Sequence, residues 1–215
     1  MHARLDGVKG ADLAAPTSKA APALPVRPPD TLAWHQQKRP LASHPPRTRG
    51  GYRRAVSIDS RVDIGHVHLK VSDIDRALSF YRDILGFDVT QRITDQAAFI
   101  SAGGYHHHLG LNTWESRGGS PPPPGTTGLY HVAIRYPDRQ TLGDALRRLA
   151  EARWPIDGAT DHGVSEAIYL RDPDGNGIEL YRDRPEEDWP RAEDGEGVAM
   201  VNAPLDLDAL VKEAG

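Results

Sequence analysis

One pattern restricts this chain more than any other: a strand, an acidic helix cap and a helix that recur at a fixed spacing. In Ile64-Gly65-His66-Val67-His68-Leu69-Lys70-Val71 the apolar residues alternate with His66, His68 and Lys70, a strand period. Ser72 and Asp73 follow as N-cap candidates, and Ile74, Ala77, Leu78, Tyr81 and Leu85 fall at helical spacing before Gly86. The same order returns in Tyr130-His131-Val132-Ala133-Ile134-Arg135, with Asp138 as cap and Leu142, Ala145, Leu146 and Leu149 on one helical face. His66 and His131 are 65 positions apart, and so are Asp73 and Asp138. An offset held through strand, cap and helix marks an internal duplication.

Each helix is followed by three strand candidates. In the first copy these are Asp88 to Ile93, Ala97 to Ser101 and His106 to Asn112, with Gly103-Gly104 turning between the last two. In the second they are Ile156 to Thr160, Glu166 to Arg171 and Gly177 to Arg182, with Asp172-Pro173-Asp174-Gly175-Asn176 as hairpin turn chemistry. The expected fold class is α+β, two βαβββ modules over 62–115 and 128–183. Residues 116–127, with Pro121 to Pro124, read as an extended linker. Residues 184–215 form a tail laid back over the core near the pocket, ending in a short helix from about Leu205 to Ala214.

The first 57 residues are of another kind. They hold ten Lys and Arg but only Asp6, Asp12 and Asp30, are rich in Pro and Ala, and show no apolar period. Such a segment buries too little to offset its ordering entropy, so a disordered arm is expected there, and His2, His35 and His44 receive no role. A net charge of −4 gives no global argument for nucleic acid or acidic membranes. No apolar run approaches the roughly 20 residues of a membrane helix, so a soluble, cytoplasmic protein is expected. The chain has no cysteine. Any metal must be held by imidazole and carboxylate, which favours iron, manganese, zinc or nickel.

The runs His66-Val67-His68-Leu69-Lys70-Val71-Ser72-Asp73, Phe80-Tyr81, Leu85-Gly86-Phe87, His131-Val132-Ala133 and Asp172-Pro173-Asp174-Gly175-Asn176-Gly177-Ile178-Glu179-Leu180 resemble the vicinal oxygen chelate superfamily. That superfamily includes glyoxalases, fosfomycin-resistance proteins and extradiol ring-cleaving dioxygenases. The resemblance implies a half-open β-barrel enclosing a divalent metal, with helices outside. Tyr105-His106-His107-His108 through Trp114, and a tail containing Trp189-Pro190, are most similar to the two-module catechol 2,3-dioxygenase type.

Strands curving around a pocket turn alternate side chains inward, and equivalence between the copies brings His66 and His131 together. Glu179 lies between Ile178 and Leu180, where an ionised carboxylate is costly unless paired or bound to a cation. His66, His131 and Glu179 are therefore the expected metal ligands, a two-histidine, one-carboxylate set suited to Fe(II), with Mn, Zn or Ni as alternatives. The first copy has no carboxylate matching Glu179, and His107 or His108 is expected to stand there. By the resemblance, His107 is the acid–base group, Tyr169 hydrogen-bonds a substrate hydroxyl, and His162 contacts the other hydroxyl or the oxygen-derived intermediate; His68 is expected to line the pocket.

The expected function is Fe(II)-dependent extradiol cleavage of a small aromatic diol by O2. Two other readings stand beside it. One is a glyoxalase, epimerase or thiol transferase with His108 as fourth ligand; the other is a non-enzymatic protein that sequesters a small molecule. Nucleic acid and membrane are not expected partners; a homodimer, with or without module exchange, stays open.

Overall fold

The computed structural model describes residues 58–193 and 197–215. The arm expected over 1–57 lies outside the described residues.

The first module runs β1 (Val67–Lys70), α1 (Ile74–Tyr81), β2 (Asp88–Ile93), β3 (Ala97–Ser101) and β4 (Leu109–Asn112). The second runs β5 (Val132–Arg135), α2 (Arg139–Glu151), β6 (Ile156–Asp161), β7 (Ser165–Arg171) and β8 (Gly177–Asp183). Each module makes its own sheet, in the order β1-β4-β3-β2 for the first and β5-β8-β7-β6 for the second. The opening strand of each pairs parallel with the closing strand, and the rest are antiparallel hairpins. The result is α+β, with two sheets that are not joined by hydrogen bonds into one closed barrel.

The two helices begin alike. The Asp73 carboxylate accepts from the Arg76 amide at 2.8 Å, and the Asp138 carboxylate from the Thr141 amide at 2.8 Å, filling one of the open donors of a first helical turn. Gly86, at φ 88°, closes the turn after α1 in a conformation that other residues adopt at a cost.

The modules are seamed along α1. The Phe80 ring packs on Trp154 at 4.8 Å, and the buried Tyr81 hydroxyl donates to Asp172 at 3.0 Å. Asp172 and Asp174 are buried in the β7–β8 turn. Asp174 pairs with Arg76 and accepts from the Ser72 amide at 3.0 Å. Burial raises the Asp172 carboxyl above its ordinary range, against the pull of the Asn176 side-chain and backbone donors and of Tyr81. The turn read from the sequence as hairpin chemistry is thus also what docks the second module on the first.

The tail does more than fold back. A short strand, β9 (Ala203–Pro204), extends the second sheet beside β6, and α3 (Leu207–Lys212) buries Leu210 against α2. The close approach needs Gly143, where a Cβ would lie 2.5 Å from the Leu210 carbonyl oxygen. Below it, buried Glu166 accepts from Arg139, Arg182 and Arg184 at 2.8–3.2 Å, so its charge is fully paired.

Candidate active site

Ile178 and Leu180 enter the core, so Glu179 projects from the other face of β8. Ladder register decides its neighbours. Tyr169 on β7 is directly opposite Glu179, and its hydroxyl reaches Glu179 Oε1 at 3.1 Å. Ala133 on β5 is the partner on the other side, small enough to leave room. His131, two residues before Ala133 and on the same face, places Nε2 2.9 Å from Glu179 Oε2. His162 follows β6, and its Nε2 meets the Tyr169 hydroxyl at 2.7 Å while Nδ1 meets the Val201 carbonyl at 3.0 Å. The second module thus holds an unbroken chain: His131, Glu179, Tyr169, His162 and the tail.

Counting protons along that chain gives it chemical content. The Val201 carbonyl can only accept, so His162 Nδ1 must carry a proton. An ionised Glu179 can only accept, so the Tyr169 hydroxyl must donate to it. Tyr169 must then accept from His162 Nε2. The three contacts from Glu179 to Val201 need three protons, where neutral His162 and Tyr169 bring two. The chain keeps every hydrogen bond only with one further proton, on His162 or on Glu179. Burial, followed by the neighbouring Glu179 charge and its hydrogen bond, pushes the Tyr169 hydroxyl above its ordinary range, so this phenol keeps its proton.

His131, His162 and Tyr169 line a cavity of about 570 Å³, with Tyr130, Asp157, Arg171 and Asn202 among its other walls. Asn202 belongs to the tail, so that segment contributes to the cavity wall.

The first module is arranged differently. His66, His68 and His107 gather with ligand nitrogens all within 4.8 Å of one another, the one such group of three among the described residues. His66 and His107 have ring centroids 4.5 Å apart. The structure therefore brings His131, Glu179, Tyr169 and His162 together, and His66 with His107. It does not draw His66 to the His131–Glu179 pair within that same spacing. Burial first, and then the surrounding imidazoles, lower the pKa of His107 from its ordinary value. His108 is turned the other way: its Nδ1 meets the Ser101 hydroxyl at 3.0 Å and accepts from the Ala102 amide at 3.3 Å.

Two readings need correction. His106 to His108 precede β4 rather than forming its start. Nor does either His107 or His108 stand where Glu179 stands. Val67 pairs with Leu109 as Val132 pairs with Ile178, so the position matching Glu179 is Gly110. The physical reason is visible in the ladder: Gly110 is opposite His68, and the His68 ring lies over it. His68 was expected as a pocket wall; it is a full member of the histidine group, found through register rather than spacing.

Whether a divalent ion fits can be tested on the donors themselves. Two ligand atoms about 2.1 Å from one ion and at right angles are roughly 3 Å apart. The His131–Glu179 spacing of 2.9 Å agrees, and it is also a hydrogen-bond length. His131 Nδ1 is buried with no hydrogen-bond partner among the described residues, so no second contact fixes which nitrogen carries the proton. Among the described residues no helix is long and apolar enough to cross a membrane.

The model of the glyoxalase/bleomycin resistance protein/dioxygenase superfamily matches residues 63–180. A catechol-2,3-dioxygenase of Bacillus subtilis (strain 168) is 44% identical over 160 residues, covering 74% of this chain and 55% of that protein. Biphenyl-2,3-diol 1,2-dioxygenase 3 of Rhodococcus globerulus is 32% identical over 136 residues, 58% of this chain and 66% of that protein. Among solved structures, lactoylglutathione lyase from Agrobacterium tumefaciens aligns over 58% of this chain and 96% of its own, at 24% identity and a TM-score of 0.46. The chain spans between about half and two thirds of the length of these two dioxygenase relatives. With a family model covering more than half of its length, this chain belongs to the glyoxalase/bleomycin resistance protein/dioxygenase superfamily.

Proposed function

We propose that the chain is an extradiol ring-cleaving dioxygenase acting on a small aromatic diol with O2. The observation that carries this reading is the His131–Glu179 pair, a metal-type donor pair, hydrogen-bonded through Tyr169 to His162, with His131, Tyr169 and His162 lining the 570 Å³ cavity. Similarity to two ring-cleaving enzymes supports it.

In this reading His131 and Glu179 supply two ligands and His66 the third, from the equivalent strand position of the first module. Bound there, Fe(II) would supply a shared site for the two diol oxygens and dioxygen; Mn, Zn or Ni are the alternatives. The protein's own part is proton handling and positioning. Tyr169 keeps its phenolic proton and can present it to a substrate hydroxyl. His162, held by the tail through Val201, faces the Tyr169 hydroxyl with Nε2 and can exchange a proton there. His107, its pKa lowered, stands neutral near neutral pH and can accept a proton at Nε2, its other nitrogen being 2.8 Å from His106 Nδ1.

A lyase, epimerase or transferase with His108 as fourth ligand fits less well, because the histidines that gather are His66, His68 and His107, without His108. The deciding experiment loads the protein with Fe(II) under anaerobic conditions, then adds air and a panel of catechols. Oxygen uptake with a yellow ring-opened product is expected. No uptake with any catechol would remove the reading. Loss of bound iron in His66→Ala, His131→Ala and Glu179→Ala would assign the ligands separately from turnover.

A further inference from the structure

We propose that His66, His68 and His107 form a second divalent-metal site, built into the first module and independent of Glu179. The site has the chemistry of a late first-row ion such as Zn(II). His68 points from β1 over Gly110 of β4, where a Cβ would lie 2.5 Å from His68 Nε2 and 2.6 Å from Cε1. The same ring is stacked on Trp114, at 6.1 Å and 29°, and meets Phe99 edge-on at 5.8 Å. The glycine below leaves room for the imidazole, and aromatic rings flank it. His66, two residues back, lies on the same strand face. His107 packs edge-on to Phe99 at 5.0 Å and is tied through Nδ1 to His106. Its remaining nitrogen, Nε2, is buried with no hydrogen-bond partner among the described residues.

The three rings are inclined to one another by 48°, 65° and 83°, so their nitrogens converge rather than stack. Donors bound to one zinc at about 2.0–2.1 Å in tetrahedral array are roughly 3.4 Å apart. The existing 4.8 Å limit therefore closes by a small rotation, and the exposed His66 has the freedom to make it. No carboxylate enters the group, and three neutral imidazoles suit Zn, Ni or Cu rather than Mg or Ca.

A consequence rests on the dioxygenase reading: an ion held here takes His66 and His107 out of the catalytic set, so it inhibits. The site itself does not depend on that reading, and the test separates them. Metal-stripped full-length Glu179→Ala protein is titrated with Zn(II) by calorimetry, which measures binding with no turnover. One bound zinc per chain is expected. In that background His68→Ala should weaken binding about 100-fold, and Gly110→Ala, which displaces the ring but keeps every ligand, about tenfold. Circular dichroism confirms that each variant is folded. Absence of zinc binding in Glu179→Ala, or an affinity unchanged by His68→Ala, overturns the proposal. Zinc binding with no oxygen uptake from any catechol in the wild type leaves the site standing and removes the dioxygenase reading alone.

Discussion

The two modules share a ladder and invert what it carries. In the second, Ala133 is opposite Glu179, and the long donor side chain comes from the closing strand β8. In the first, His68 is opposite Gly110, and the long donor comes from the opening strand β1. Volume is conserved across the pair while the chemistry is exchanged, carboxylate for imidazole. One room is thus filled from either side, and the choice of strand decides whether the module offers a mixed oxygen–nitrogen set or an all-nitrogen one. Close packing explains why both strands cannot supply a large side chain at once.

The largest expected effect comes from removing the carboxylate, because the first module has none to substitute. On the proposed dioxygenase function, Glu179→Ala should lower oxygen uptake by about a thousandfold or more, the scale seen when a group acting directly on the reacting centre is lost. It also frees Tyr169 and His131 of their shared partner. Oxygen uptake under Fe(II) saturation measures it, and wild-type rates in this variant would mean that Glu179 is structural. Next comes Tyr169→Phe. It cuts the relay between Glu179 and His162 without changing the packing of the ring, and kcat should fall about a hundredfold with a smaller change in KM. A change confined to KM would restrict Tyr169 to substrate binding.

The legibility of the molecule follows the same division. The strands β2 and β3 were readable to the residue because turn-forming residues bound them, Gly86 before β2 and Gly103-Gly104 after β3. Both caps were readable because Asp before an apolar helical period has a mechanism. The match of Gly110 with Glu179 was not readable. The 65-residue offset holds through the helices, but Gly110 and Glu179 are 69 apart, so counting along the chain misses what hydrogen-bond register sets. The strand β9 was equally hidden: two residues, one of them Pro204 with no N–H to donate, leave no period to detect. Tyr169 and His162 were named from family likeness, and His131 from its equivalence with His66 in the repeat. Their linkage into one hydrogen-bonded chain depends on cross-strand pairing and on a tail contact that sequence spacing does not contain.

The seam sharpens the comparison at the level of stability. Tyr81 on α1 sends its hydroxyl to buried Asp172 of the other module, whereas Leu146, 65 positions on in α2, is buried and ends in carbon. Tyr81→Phe makes the first helix resemble the second. Asp172 keeps its backbone and Asn176 donors, so the loss should be about 1–2 kcal/mol rather than a collapse, read from urea unfolding. An unchanged midpoint would show that the hydroxyl adds nothing to docking.

The smallest effect tests the inversion itself. Gly110→Ala places a methyl where the His68 ring now lies, and His68 is exposed enough to swing aside. The stability cost should therefore be about 1 kcal/mol or less, with the displaced ring reported by the fluorescence of Trp114, its stacking partner. Removing the ring first should abolish the conflict. In the His68→Ala background, Gly110→Ala should be neutral or slightly stabilising, because alanine restricts the unfolded chain more than glycine does. The two substitutions touch one volume, so their effects must not add. Simple additivity would mean that Gly110 is glycine for a backbone reason unrelated to His68. The exchange of donor between strands would then be coincidence rather than a rule of this fold.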